Sequence, residues 1–252
     1  MKVTAFIQAR MSSTRLPGKV LKDILGKPML LHIVERLRHA KTLSNIVVLT
    51  SDGSSDDAIA TLCQNHSIHC FRGSLDDVLG RFFAASEKYP SDHIVRITAD
   101  CPLVDSLLVD SIVTKHIQQN ADYTSNCHPA MYPDGLDVEV MRTAALQQAN
   151  NEATSPHQRE HVTPYFLTHK TMFKCCNFDA PSKIPQYRLT VDHPEDFQLI
   201  KKIYETLYSV DNNFSLNSTL SLLAKHPNWL SVNEHFIRNE ALQSNAAGDN
   251  EQ

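Results

Sequence analysis

Apolar and polar positions alternate along the first half of the chain in a pattern typical of strands followed by helices. Apolar runs at residues 3–7, 45–50 and 93–98 have the length and β-branched content of buried strands. The segments between them carry apolar residues at helical spacing, as the helix predicted from Pro28 onward does. Further helices are predicted from residue 54 or 55 onward with Asp56 and Asp57 in the first turn, at 76–88 and at 106–119. This alternation predicts an α/β fold with a mostly parallel sheet covered by helices on both faces.

The strand and helix rhythm breaks near residue 126 and returns near residue 186. Prolines punctuate the segment between, where short strands at 136–140 and 172–178 and two helices are predicted. A strand at 187–191 then leads into helices at 194–208 and 214–224. The resulting division is a core at 1–125, an inserted lobe at 126–185, the returning core at 186–238 and a tail at 239–252 that is expected to be disordered.

The composition of the 252 residues narrows the class of protein. Hydrophobic residues make up 42% and charged residues 21% of the chain, which is typical of a globular protein. The net charge of −4 disfavours a general nucleic-acid binder, which usually carries a basic excess. The sequence shows no secretory pattern, no apolar run of membrane-spanning length and no C-x-x-C pair among its six cysteines. We therefore expect a cytoplasmic protein with reduced thiols.

A basic loop rich in hydroxyl groups follows the first predicted strand. Arg10, Arg15 and Lys19 fall within ten residues, and Pro17 and Gly18 close the loop. Loops at the C-terminal ends of parallel strands bind ligands in α/β sheets, and cations together with open N–H groups suit a polyphosphate. The order of residues excludes a Walker A loop, because serine stands at position 13 where the first glycine is required and valine follows the lysine.

Two aspartates stand at the ends of predicted strands. Asp100 comes after the strand at 93–98, and Asp192 directly follows the segment at 187–191. Because parallel strands present their C-terminal ends at one edge of a sheet, the two carboxylates can meet beside the basic loop. Each aspartate precedes a predicted helix, however, and an aspartate there is often an N-cap. The residues alone leave both interpretations open.

The loop at 9–19, A-R-M-S-S-T-R-L-P-G-K, resembles the A-R-x-x-S-x-R-L-P-G-K signature of sugar nucleotidyltransferases. Within that group it is most similar to the cytidylyltransferases of the CMP-Kdo and CMP-sialic acid synthetase type and the spore-coat polysaccharide type. Residues 96–102, R-I-T-A-D-C-P, and 191–196, V-D-H-P-E-D, resemble two further motifs of the family. The resemblance implies a Rossmann-like sheet of the nucleotide-diphospho-sugar transferase type. It also implies transfer of CMP from CTP to an acidic or modified sugar for surface polysaccharide, with release of pyrophosphate.

The resemblance further implies the residues of the reaction site. The expected catalytic residues are Arg15, Lys19, Asp100 and Asp192. The expected nucleotide-binding residues are Gln8, Ala9, Arg10, Ser12, Arg15, Lys19, Arg72 and Thr98. Asp100 and Asp192 would bind Mg²⁺, an ion that prefers a few carboxylate oxygens together with phosphate. CMP-Kdo synthetases carry a glutamine near the position of Thr98, so this departure leaves the choice between cytosine and guanine open.

The lobe contains P-D-G-L-D-V-E-V at 133–140, a run that recurs in the spore-coat relatives. The resemblance implies an acceptor-sugar site there and a homodimer formed through the lobe. The expected acceptor-site residues are Tyr132, Asp134, Asp137, Glu139, Arg159 and His161.

Residues 157–161, H-Q-R-E-H, also match the H-x-x-E-H pattern of some zinc proteases. Two histidines one helical turn apart can share a zinc ion. No third ligand is evident downstream, and Pro164 interrupts the helix almost at once. Zinc is therefore disfavoured, and Mg²⁺ is the only expected cofactor.

Two other functions stay open at the level of the sequence. A glycosyltransferase would share the nucleotide-binding sheet, but such enzymes usually carry a D-x-D triplet, whereas Asp100 is followed by Cys101 and Pro102. A protein that binds a nucleotide without turnover would share the basic loop.

Overall fold

The computed structural model of the protein describes residues 1–180 and 182–238. Its centre is a seven-stranded sheet in the order β5-β4-β1-β6-β8-β7-β9. The strands are β1 Val3–Gln8, β4 Asn45–Ser51, β5 His69–Gly73, β6 His93–Thr98, β7 Tyr123–Ser125, β8 Glu139–Arg142 and β9 Cys175–Asn177, and a separate hairpin consists of β2 Asp23–Ile24 and β3 Lys27–Pro28. Strands β5, β4, β1 and β6 are parallel, whereas β8 runs antiparallel to both β6 and β7.

Helices cover both faces of the sheet. They are α1 Met29–Arg38, α2 Asp57–Asn65, α3 Val78–Lys88, α4 Ser106–Gln118, α5 Thr143–Glu152, α6 Pro156–His161, α7 Pro164–Thr168, α8 Pro194–Leu207 and α9 Leu216–Lys225. Successive residues of β1 point to opposite faces, so Ala5 and Ile7 pack in a core with α1, α4 and α8. Phe6 packs in a second core with α3, α5 and α7. This arrangement confirms the predicted α/β fold class.

The strands and helices predicted in the N-terminal half are present with small shifts at their ends. Strand β5 was not predicted, because His69 and Arg72 interrupt its apolar pattern. The helix predicted from residue 54 or 55 begins as a 3-10 turn, Ser54–Asp56, before α2.

The strand predicted at 187–191 is wrong. Its backbone is used in other contacts, because Leu189 N–H donates to the carbonyl oxygen of Asp134 (2.8 Å) and Val191 N–H donates to that of Asp100 (2.8 Å). Gly135 permits this close crossing, since a Cβ there would lie 2.5 Å from the carbonyl carbon of Leu189. The segment therefore crosses the end of the sheet and brings the residue after Val191 beside the end of β6.

The segment 126–185 contributes two strands, β8 and β9, to the same sheet. Both are shorter than the predicted strands at 136–140 and 172–178. The division into core and lobe stays a prediction, and the tail predicted to be disordered at 239–252 lies outside the described residues. Within the described part of the chain, none of the helices combines the length and apolar character that crossing a membrane requires.

Candidate active site

One lysine and two aspartates meet at the C-terminal edge of the parallel strands. Lys19, on the loop after β1, donates from Nζ to Asp100 Oδ2 (3.1 Å), to Asp192 Oδ1 (2.9 Å) and to the carbonyl oxygen of Val191 (2.8 Å). These three acceptors match the three protons of an ammonium group. The Lys19 side chain is 10% exposed, so the group is largely shielded from water. The residues that follow β6 and the 187–191 segment therefore contact the same ammonium group.

The basic loop takes its shape from a left-handed turn and a buried carboxylate. Gly18 has a φ of +68°, a conformation that favours glycine, and its N–H donates to the carbonyl oxygen of Met11 (3.1 Å). Met11 N–H in turn donates to Asp56 Oδ1 (2.8 Å), while Asp56 Oδ2 accepts from Ser51 N–H (3.0 Å) at the end of β4. Asp56 therefore ties the loop to the sheet, a role that its expected position in the first turn of a helix did not reveal.

Opposite charges outweigh burial at the centre of this site. Burial alone would raise the pKa of Asp100, but the Lys19 ammonium and the Thr98 hydroxyl, which donates to Asp100 Oδ1 (2.5 Å), lower it to about 2. Burial would lower the pKa of Lys19, yet Asp100 and Asp192 raise it. Both groups are therefore charged at neutral pH.

Asp192 lies between two arginines. Arg15 Nη2 is 3.1 Å from Asp192 Oδ1, and Arg188 Nη2 is 3.3 Å from Asp192 Oδ2. Arg188 is itself held by Asp196, whose two oxygens accept from Nε (2.9 Å) and Nη2 (3.0 Å). The buried Arg188–Asp196 pair thus fixes one side of Asp192, and the basic loop contributes the other.

Neither candidate aspartate caps a helix. The N-cap of α4 is Asp105, whose Oδ1 accepts from the N–H three residues further on (2.9 Å). The N-cap of α8 is His193, and its N–H donates to Asp196 Oδ2 (2.9 Å). The capping interpretation of Asp100 and Asp192 is therefore wrong, and both carboxylates face the basic loop.

The other nucleotide-binding candidates surround the start of the loop. Gln8 and Thr98, the last residues of β1 and β6, are partners in the parallel ladder. Ala9 is buried behind them, whereas Arg10 and Ser12 are exposed on the loop.

Arg72 lies at the end of β5 and braces the neighbouring chain. Its Nε donates to the carbonyl oxygen of Ser51 (2.9 Å), and its Nη2 donates to that of Gly53 (2.9 Å). Nη2 also lies 2.7 Å from Asp57 Oδ1. These contacts support the loop after β4, next to the anchor formed by Asp56.

Two acceptor-site candidates, Asp134 and Asp137, each lie beside an arginine. Asp134 Oδ2 is 3.3 Å from Arg188 Nη1, and Arg238 contacts Asp137 Oδ1. Burial raises the pKa of Asp134 to about 6 and that of Asp137 to about 7, although Arg238 lowers both. The two carboxyl groups are therefore partly protonated near neutral pH.

Two further candidates are buried in the protein. Tyr132 packs in the core and stacks on Phe178, with ring centroids 6.2 Å apart. Glu139 forms a buried ion pair with Arg96 and accepts from the hydroxyl of Tyr123 (2.5 Å). These contacts join Tyr132 and Glu139 to other side chains in the interior of the protein.

The last two candidates lie over the opposite end of the site. Arg159 Nε and Nη2 donate to the two oxygens of Asp77 (2.8 and 2.6 Å) at the start of α3. Arg159 also lines, with Arg10, a groove of roughly 280 Å³. The rings of His157 and His161 are tilted by 60° to each other, with centroids 4.7 Å apart. No group of three His, Cys, Asp or Glu side chains suited to a metal ion occurs at these histidines or elsewhere in 1–180 and 182–238.

Parallel strands that present a cationic loop and two converging carboxylates at their C-terminal ends are typical of nucleotide-binding α/β proteins. The sequence model of the cytidylyltransferase family matches residues 4–218. The chain belongs to this family, which confirms the predicted family, the enzyme class and the use of CTP.

Individual proteins support the same assignment. The chain is 35% identical over 235 residues to the spore coat polysaccharide biosynthesis protein SpsF of Bacillus subtilis, covering 90% of this chain and 96% of SpsF. A solved cytidylyltransferase from Leptospira borgpetersenii is 32% identical, with a TM-score of 0.86 over 95% of this chain and 98% of that chain. A CMP:2-keto-3-deoxy-manno-octonic acid synthetase solved with CTP is 19% identical and shares the fold, with a TM-score of 0.62 over 81% of this chain and 99% of that chain.

Proposed function

We propose that the protein transfers CMP from CTP to a hydroxyl group of an acidic or modified sugar, releasing pyrophosphate, in the synthesis of a surface polysaccharide. The observation that carries the proposal is the contact of one lysine of the basic loop, Lys19, with carboxylates from two separate chain segments. The name of SpsF, which links that relative to a polysaccharide, supports the sugar acceptor.

Positioning and charge neutralisation supply most of the catalysis in such a transfer. When CTP binds, Lys19 exchanges a carboxylate partner for a phosphate oxygen, and together with Arg15 it neutralises the charge that develops on the departing pyrophosphate. Gln8, Ala9 and Arg10 line the base and the ribose. The sugar hydroxyl then attacks the α-phosphorus in line with the leaving oxygen.

Mg²⁺ fits the carboxylates of this site. Asp100 and Asp192 offer hard oxygen donors that converge on one cationic group, and Mg²⁺ is usually held by one or two carboxylates together with phosphate. When bound there, the ion would polarise the α-phosphate and orient the attacking oxygen. Arg15 and Arg188 on either side of Asp192 hold that carboxylate in place.

The sugar would bind near Asp134 and Asp137, which lie beside Arg188 and Arg238. A homodimer formed through residues 126–185 and a cytoplasmic location complete the proposal, and both rest on the family resemblance and the composition.

Pyrophosphate release tests this function. The purified protein, Mg²⁺, CTP and a panel of sugar acids should release pyrophosphate, and chelation of the metal should stop the release. Lys19→Ala and Asp100→Ala should each lower kcat/KM by at least about 100-fold, because each removes charge at the reacting phosphates. Wild-type rates in either variant would contradict the mechanism.

The two alternative functions give different results in the same assay. A glycosyltransferase would consume a nucleotide-sugar and release no pyrophosphate from CTP. A non-catalytic binder would be stabilised by CTP in thermal unfolding without turnover with any acceptor.

A further inference from the structure

A buried ion pair lies behind Gln8, the last residue of β1. Arg96 on β6 contacts Glu139 on β8 through Nη1 and donates from Nη2 to Gln8 Oε1 (3.1 Å). The second oxygen of Glu139 accepts from the hydroxyl of Tyr123 on β7 (2.5 Å). The Arg96 and Glu139 side chains are 15% and 7% exposed. Four neighbouring strands therefore hold one polar network that ends at Gln8.

This network fixes which way the carboxamide of Gln8 faces. A guanidinium group only donates hydrogen bonds, so the atom of Gln8 that meets Arg96 must be its carbonyl oxygen. The amide nitrogen, Nε2, consequently points away from Arg96. Nε2 makes no hydrogen bond to residues 1–180 or 182–238, and Gln8 is partly exposed at the start of the basic loop. The Nε2 amide group of Gln8 is therefore a hydrogen-bond donor held in a fixed orientation beside the nucleotide site.

The position of Gln8 along the loop indicates which part of CTP it meets. Lys19 and Arg15, at the far end of the loop, contact Asp192 and are the groups proposed to hold the phosphates. The base is then the part of CTP that reaches the start of the loop. Cytosine presents an unprotonated N3, which accepts a hydrogen bond, whereas uracil carries an N–H at that atom. A fixed N–H donor facing N3 would therefore favour cytosine over uracil.

We propose that Gln8 Nε2 donates to N3 of the cytosine ring and that Arg96 and Glu139 are positioning residues that hold the carboxamide in this orientation. The proposal rests on the proposed function, since it assigns a base-reading role within the same nucleotide site. It predicts that selection of CTP against UTP depends on two residues, Arg96 and Glu139, that need not touch the nucleotide.

Gln8→Glu tests the donor. The carboxylate can still accept from Arg96, but an oxygen replaces the amide N–H₂ and faces N3 of cytosine. Isothermal titration with CTP and with UTP, both with Mg²⁺, should show CTP affinity lowered by about tenfold and the CTP:UTP affinity ratio lowered with it. An unchanged ratio, whether both affinities fall alike or neither falls, would overturn the proposal.

The positioning role requires a double variant, because removing Arg96 alone would leave Glu139 charged and buried. Arg96→Met with Glu139→Gln removes both charges and keeps an acceptor for Tyr123. The CTP:UTP affinity ratio should fall by several-fold in this variant. Thermal unfolding is measured in parallel. A lower melting temperature with an unchanged CTP:UTP affinity ratio would show that the pair has only a structural role, and would overturn its proposed positioning role.

The wild-type protein separates this inference from the proposed function. If it binds CTP more tightly than UTP and the variants keep that preference, only the role of Gln8 and its network fails. If the wild-type protein binds CTP but releases no pyrophosphate with any acceptor, the proposed transfer fails, and the base preference can still be measured by titration.

Discussion

Lys19 shows how much of the site depends on the shape of one cation. Its ammonium group reaches three oxygens that come from different directions, two carboxylates and the carbonyl of Val191. A compact charge with three donors can satisfy all three, whereas the planar guanidinium of arginine presents its donors as a fork. The charge alone therefore does not explain the choice of lysine.

Lys19→Arg is expected to keep the positive charge but lose function. We expect kcat/KM for pyrophosphate release to fall by about 100-fold, because the larger planar group displaces at least one carboxylate. The matched control is Lys41→Arg at an exposed position, which should leave kcat/KM unchanged. Lys19→Arg activity equal to that of the control would show that only the charge matters.

The predicted elements of the N-terminal half could be recognised because each carries a single strong period. Their strands have continuous apolar runs and their helices a 3.6-residue repeat, whereas β5 has neither. The same logic placed Asp100 correctly, whereas Asp192 reaches the same lysine without a strand before it. The segment at 187–191 has the pattern of a strand, but its N–H groups donate to the carbonyl oxygens of Asp134 and Asp100. These acceptors are distant in the sequence, so the local pattern of residues could not predict them.

Individual buried charges were the least predictable features. The anchoring role of Asp56 was hidden because an aspartate beside a helix start also suits the helix dipole. Arg96 lies within the apolar run at 93–98 and Glu139 within the predicted strand at 136–140, and only the register of β6 and β8 shows that they face each other.

Gly135 connects the turn before β8 with the segment that carries Asp192. Its φ is +94°, and a Cβ there would lie 2.5 Å from backbone atoms of Leu189 and Thr190. Gly135→Ala should therefore displace this segment and lower the free energy of unfolding by more than about 3 kcal/mol. Gly26 is a matched control, because its φ is +79° but no atom lies within 4 Å of the added Cβ.

Chemical denaturation of both variants separates the cost of the left-handed backbone conformation from the cost of the steric clash at Gly135. Gly26→Ala should cost only about 1 kcal/mol, the usual cost of a left-handed conformation for alanine. Gly135→Ala should also weaken CTP binding, because Asp192 moves with the segment. Equal losses of stability in the two variants would show that the close approach at Gly135 has no separate effect.

At the scale of the whole molecule, the two ends of the sheet are chemically different. The C-terminal edge holds the charged site, whereas His93 at the start of β6 and His116 of α4 form a buried chain of hydrogen bonds with Thr124 of β7. Burial lowers the pKa of His116 to about 3, and it also lowers the pKa of His93. Burial therefore disfavours the charged form of these two imidazoles, which join a helix to two strands.

Acid should therefore destabilise the fold through His116. Between the pKa of about 3 in the folded protein and the ordinary value in the unfolded chain, the unfolded state binds more protons, so stability falls as the pH is lowered. The raised pKa values of Asp134 and Asp137 act in the opposite direction, because the folded state binds those protons more readily. Comparison with a variant isolates the contribution of His116.

Between about pH 7.5 and about pH 4.5, the free energy of unfolding of the wild-type protein should fall by about 2 kcal/mol more than that of His116→Gln, as measured by denaturant unfolding. His66→Gln at an exposed position serves as the control and should follow the wild-type protein. Parallel pH dependence of the wild-type protein and His116→Gln would contradict the assignment.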